Sequence, residues 1–145
     1  MGEQGSWDEF VLGLCDLAVK YDAVTYLYES VVSLASRTPR HGHESATIRI
    51  TRFDDEAARI ETGWCFDLVV DYVAGDSSRP VPALGLVEAI CSGSAEESCL
   101  IDAGGRWVGV FLKAWAPNGD RWESGSPGRL DQRATRRFPS WIDPN

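Results

Sequence analysis

"GWCFDLVVDY", residues 63–72, decides the reading of the fold. Every second residue is large and apolar: Trp64, Phe66, Leu68, Val70 and Tyr72. The other parity holds Gly63, Cys65, Asp67, Val69 and Asp71. A period of two belongs to a half-buried β-strand with one face on a core and one in water. The large set is therefore expected inside. Truncating Leu68 to Ala is then expected to cost about 2–5 kcal/mol.

Working outward, this strand is expected from about Arg59 to Val73. Upstream, "ATIRITRF" (46–53) has the same period, with Ala46, Ile48 and Ile50 opposed to Thr47, Arg49 and Thr51. "DDEA" between the two runs reads as the turn of an antiparallel hairpin. Downstream, "CLID" and "RWVGVFLKAW" flank "AGG" and read as a second hairpin. "VPALGLVEAIC" (81–91) is mixed. Pro82 and Gly93 suit a helix, whereas Gly85 and the β-branched residues suit a strand, which is the expectation.

Before position 46 the period is helical. Ser6 and Glu9 form a capping box, and Trp7, Phe10, Val11, Leu14, Leu17 and Ala18 make one stripe. Asp22 is placed to cap a second helix to about Arg37, although "VTYLY" is also β-prone. "APNGDRWESGSPG" reads as a loop and "RLDQRATRR" as a short basic helix. Phe138 and Trp141 are expected to pin the tail "FPSWIDPN" to the body. Strands grouped after helices mean α+β. The expected fold is two N-terminal helices packed on an antiparallel sheet of about five strands, with a short C-terminal helix or tail.

The 145 residues, 43% hydrophobic with six Trp, fit one domain, residues 1–145, with a sizeable core. "MGEQGSWDEF" lacks the basic and apolar regions of a signal peptide, and its match to M-G-x-x-x-S is a loose one. The expectation is a cytoplasmic protein with cysteines as thiols. Cys15, Cys65, Cys91 and Cys99 make no C-x-x-C; outside the cytoplasm, Cys91 and Cys99 would be the pair to bridge. The net charge of −8 is uneven. Residues 54–102 carry eleven acids against two arginines, and residues 103–145 carry seven bases against four acids. An acidic middle argues against nucleic acid and for either a solvated surface or a face for a basic protein partner. No apolar run is long enough to span a membrane.

Catalytic sets are sparse. Asp67 and Asp71 share a face, but four residues of strand hold them about 14 Å apart. That is wider than a carboxylate pair needs for acid–base work, about 5–9.5 Å. His41 and His43, with Glu44, resemble the H-x-H ligands of cupins, but the later Glu and Gly of that pattern are missing, so no metal is expected. Neither a nucleophile elbow nor a phosphate-binding glycine loop occurs, and no cofactor is expected.

Helices followed by antiparallel strands, with a late "GGRWVGVFLKAW" strand, resemble the NTF2-like fold, though that fold starts with more helix. The resemblance implies a curved sheet cupping a small apolar ligand or substrate, near Trp64, Phe66, Trp107, Phe111 and Trp115. A structural component of a phage or other assembly is a third possibility. The residues themselves favour a non-enzymatic interaction module that binds and neutralises a partner protein, like an immunity protein or an inhibitor. Its binding face would be the acidic one: Asp54, Asp55, Glu56, Glu61, Asp67 and Asp71. Elemental analysis of untagged protein should find no stoichiometric zinc, iron or nickel. One equivalent, lost on His43→Ala, would contradict this reading of "HGHE".

Overall fold

A computed structural model describes residues 3–37, 47–63, 66–73, 81–116, 119–125, 133–138 and 140–142. The fold is α+β. Helix α1 (Glu3–Lys20) leads into five strands: β1 (Ala23–Tyr28), β2 (Val31–Ser36), β3 (Thr47–Arg52), β4 (Ala57–Thr62) and β5 (Phe66–Asp71). Helix α2 (Pro82–Cys91) follows, then β6 (Ala95–Ile101), β7 (Trp107–Trp115), β8 (Arg121–Gly125) and β9 (Arg133–Arg137). The first five strands form an antiparallel meander in chain order, and the last four form a second sheet ordered β8-β7-β6-β9.

The opening stretch behaves as its period requires over the described part. Phe66 and Tyr72 are buried, Leu68 and Val70 half-buried, and Asp67, Val69 and Asp71 exposed. Trp64 and Cys65 lie outside the described residues. The expected long strand is in fact two: β4 ends at Thr62, and Gly63, at φ 65°, turns the chain into β5. Arg59 and Glu61 therefore sit on β4, with Glu61 opposite Asp67. The "DDEA" hairpin joins β3 to β4, and the "AGG" hairpin joins β6 to β7.

Five expectations are corrected. The segment 22–37 is a hairpin, not a second helix. Asp22 and Glu29 take left-handed backbone angles (φ 54° and 50°), which break a helix, and β2 alternates in burial along its length. Residues 82–91 are a helix, not a strand. Pro82 opens α2, and Ala83, Leu86, Val87, Ala89, Ile90 and Cys91 are buried. Gly85, the residue that argued for a strand, gives room to a ring: a Cβ there would lie 3.1 Å from Trp122. "RWESG" is strand β8 within an expected loop, and "RATRR" is strand β9, not helix. Finally, α1 starts at Glu3, so Ser6 lies inside the helix.

One core unites these parts. Trp7, Phe10, Leu14 and Ala18 of α1 meet Val32, Leu34, Ile48, Ile50, Ala58 and Ile60 of the first sheet. The same cluster continues through α2 to Leu112 and Ala114 of the second sheet and to Phe138 and Trp141. The tail is fixed by its backbone as well: Phe138 donates to the Ala95 carbonyl at 2.9 Å and Trp141 to that of Cys91 at 2.8 Å. Cys91 and Cys99 are buried free thiols, one closing α2 and the other within β6. No described helix is long and apolar enough to cross a membrane.

Ile60 is fully buried and pairs with Ile50 and Leu68 across the sheet. Chemical denaturation should show Ile60→Ala costing about 2–5 kcal/mol, and half-buried Leu68→Ala less. An equal or larger loss at Leu68 would contradict this packing.

Candidate functional site

With the inner faces of both sheets spent on the core, the ends and outer faces carry the chemistry. Strand register sorts the six acids singled out from the sequence into two groups. Glu61 and Asp67 face each other on the outer face of β4 and β5. Arg59 lies between them, its Nε and Nη2 donating to Asp67 at 2.9 and 2.6 Å, with Glu61 at 3.7 Å. The hydrogen bonds and charge of Arg59 hold the Asp67 carboxyl below its ordinary range, against a smaller opposing effect of burial. Arg59 thus offsets part of the charge of this stretch of the acidic strip within the fold.

Asp54, Asp55 and Glu56 form the β3–β4 turn, and Asp71 ends β5 beside Ala57. Asp54 shapes the turn: its Oδ1 accepts from the Glu56 and Ala57 amides at 2.8 and 2.7 Å. Asp55 accepts from Arg52 at 3.1 Å. The Arg52 guanidinium also donates to Tyr72 Oη at 3.2 Å and lies 5.9 Å from the Trp7 ring. Tyr72 Oη in turn donates to the Asp54 carbonyl at 2.9 Å, and Phe10 stacks on Tyr72. The aromatic core beneath thus fixes the acidic turn from below.

The β1–β2 turn reaches the same end, because the Arg52 amide donates to the Ser30 carbonyl at 2.8 Å. It brings Glu29. Five acids therefore gather here: Glu29, Asp54, Asp55, Glu56 and Asp71. All are exposed, and among the described residues Arg52 is the base set between them. Among the described residues, Glu29, Glu56 and Asp71 make no ion pair. Phe53 stands in this end at 62% exposure, next to Asp54. Sequence reasoning missed Phe53 and Glu29. The first was visible as an aromatic abutting "DDE", and the second was hidden by reading its hairpin as a helix.

The other aromatic set is dispersed. Phe66 is buried in the core against Phe138, with ring centroids 5.7 Å apart. Phe111 and Trp115 belong to the second sheet, on the parity opposite buried Leu112 and Ala114. Lys113 and Arg137 lie 5.8 and 5.3 Å from the Trp115 ring. Trp107 lies on β7, opposite Ile101. His41, His43 and Glu44 lie outside the described residues, and no group of metal-ligating side chains occurs among those described. A buried acid that the sequence reading passed over is Glu97 on β6, in register with Leu112 and Arg136. The β4–β5 turn rests on it: a Cβ at Gly63 would lie 2.6 Å from Glu97 Oε1.

At the seam of α1 and α2, Glu88 accepts from Lys20 at 2.5 Å and from the Tyr21 hydroxyl at 2.8 Å. Burial works against the Glu88 carboxylate, but these two donors outweigh it and lower its pKa. Burial and the Glu88 charge push the Tyr21 phenol up.

A depressed carboxylate contributes stability above its unfolded pKa, and that contribution is lost as pH falls through the folded value. Asp67 should therefore titrate below the usual carboxylate value of about 4 in a carbon-detected NMR titration, and Arg59→Gln should return it there. An Asp67 titration that does not move in Arg59→Gln would contradict the pairing. No family model, curated protein or solved structure matches the chain.

Proposed function

We propose that this chain is a non-enzymatic interaction module that binds and neutralises a basic partner protein in the cytoplasm, in the manner of an immunity protein or inhibitor. One observation carries the reading: Glu29, Asp54, Asp55, Glu56 and Asp71 gather at one end of the first sheet around exposed Phe53, with Arg52 the base among them. A concentrated field of one sign steers an oppositely charged partner and raises its association rate. An exposed aromatic inside that field supplies the apolar anchor that charge alone lacks. Turns fixed from beneath by Tyr72 and Arg52 present both with little entropy to lose on binding. Asp67 and Glu61 contribute less, because Arg59 already offsets their charge.

The test is kinetic. A partner is first recovered from source lysate by cross-linking, then its association is measured at low and high salt. Glu56→Lys and Asp71→Lys should each slow association and flatten its salt dependence, since neither acid has an ion pair to break among the described residues. Asp67→Asn should change the rate little, and Phe53→Ala should act mainly on dissociation. A salt-independent association rate, unchanged by both charge reversals, would overturn the reading.

A further inference from the structure

Among the described residues the two sheets have four edge strands, and three of them carry charge. β5 holds Asp67 and Asp71, β8 holds Arg121 and Glu123, and β9 holds Arg133, Arg136 and Arg137. Charge on an edge strand deters another chain from pairing with it. β1, "AVTYLY", is the exception: it has no charged residue, no proline and no bulge in its pairing with β2. Its second half is also bare. Tyr26, Leu27 and Tyr28 are 60%, 60% and 73% exposed, and because they are consecutive they expose both faces of the strand.

The hydrogen-bond phase of the hairpin defines the free edge. The Arg37 amide donates to the Asp22 carbonyl at 3.1 Å. Antiparallel ladders alternate, so Val24, Tyr26 and Tyr28 bond to β2, while Thr25 and Leu27 turn their N–H and C=O groups outward. Among the described residues, no backbone group pairs with Thr25 or Leu27 on that side.

We propose that two copies of the chain pair antiparallel through the exposed half of β1, joining their five-stranded sheets into one continuous sheet. Leu27 opposite Leu27 of the second copy sets Tyr26 opposite the second copy's Tyr28 on the outer face, a favourable cross-strand aromatic pair. Charge favours this direction. Each acidic end points away from the other and toward the end of the second copy where Lys20 and Arg37 are matched by Glu88 and Asp22. A parallel pairing would set the two acidic ends side by side. A second copy also meets an uncharged strand with an uncharged strand, which a basic partner segment would not.

The experiment is sedimentation velocity on the purified full chain at micromolar concentrations. The wild type should sediment as a dimer. Thr25→Pro removes an outward N–H without touching the ladder to β2, and should give a monomer with unchanged circular dichroism. Leu27→Lys, at an exposed position, should do the same and keeps the test open if the proline variant does not fold. A wild type that is monomeric throughout, or a dimer that persists in a folded Thr25→Pro or Leu27→Lys variant, would overturn the proposal. Pairing of β1 with a different protein in place of a second copy would appear as a monomeric wild type, and so also counts against it.

Discussion

Helix α2 is the constraint on which the rest depends. It packs against β4 and β5 of one sheet, β7 of the other, and α1. Six of its ten residues are buried, and it has neither an acid in its first turn nor a base in its last. A helix apolar on so many sides gains its stability from its neighbours and not from its own sequence. Each sheet in turn uses α2 to cover one of its faces. α1 completes the cover over the first sheet, where Trp7 and Phe10 meet Tyr72. Since both inner faces are consumed in this way, the surfaces left for other molecules are the turns, the outer faces and the edges.

The same arrangement explains what the sequence could show. β5 was legible because one of its faces is wet, so Phe66, Leu68 and Val70 alternate with acids. α2 was not, because burial on several sides erases the polar half of a helical pattern, and Gly85 looked like a strand residue when it is a seat for Trp122. The β1–β2 hairpin was hidden by its turn. Hairpin turns usually announce themselves with Asn or Gly, and here Glu29 takes the left-handed angle instead. Val24, Leu27, Val31 and Leu34 then matched a helical spacing by coincidence. β9 is a string of arginines with little strand preference, held by its partner β6 and not by local propensity.

The acids of the candidate site were visible, but their grouping was not. Asp67 and Asp71 are four residues apart and looked equivalent, yet Asp67 faces Arg59 while Asp71 lies at the other end of β5, beside the acidic turn. Register, not spacing, decides which charge is already matched inside the protein. Asp54 shows a further division of labour, since its carboxylate is occupied with the amides of its own turn. Charge counted along a sequence therefore overstates the charge available to a partner.

The two sheets also differ in when they can be completed. In the first, every strand pairs with the strand before or after it, so each hairpin can close soon after its residues leave the ribosome. The second cannot close locally: β6 pairs on one side with β7 and on the other with β9, joining Leu100 to Arg133. Until β9 arrives, the far edge of β6 is open, and this is the strand that buries Ala95, Cys99 and Leu100. The arginine-rich β9 acts as the final seal on a strand that is aggregation-prone while unpaired. The order of synthesis thus makes the second sheet the later of the two to close.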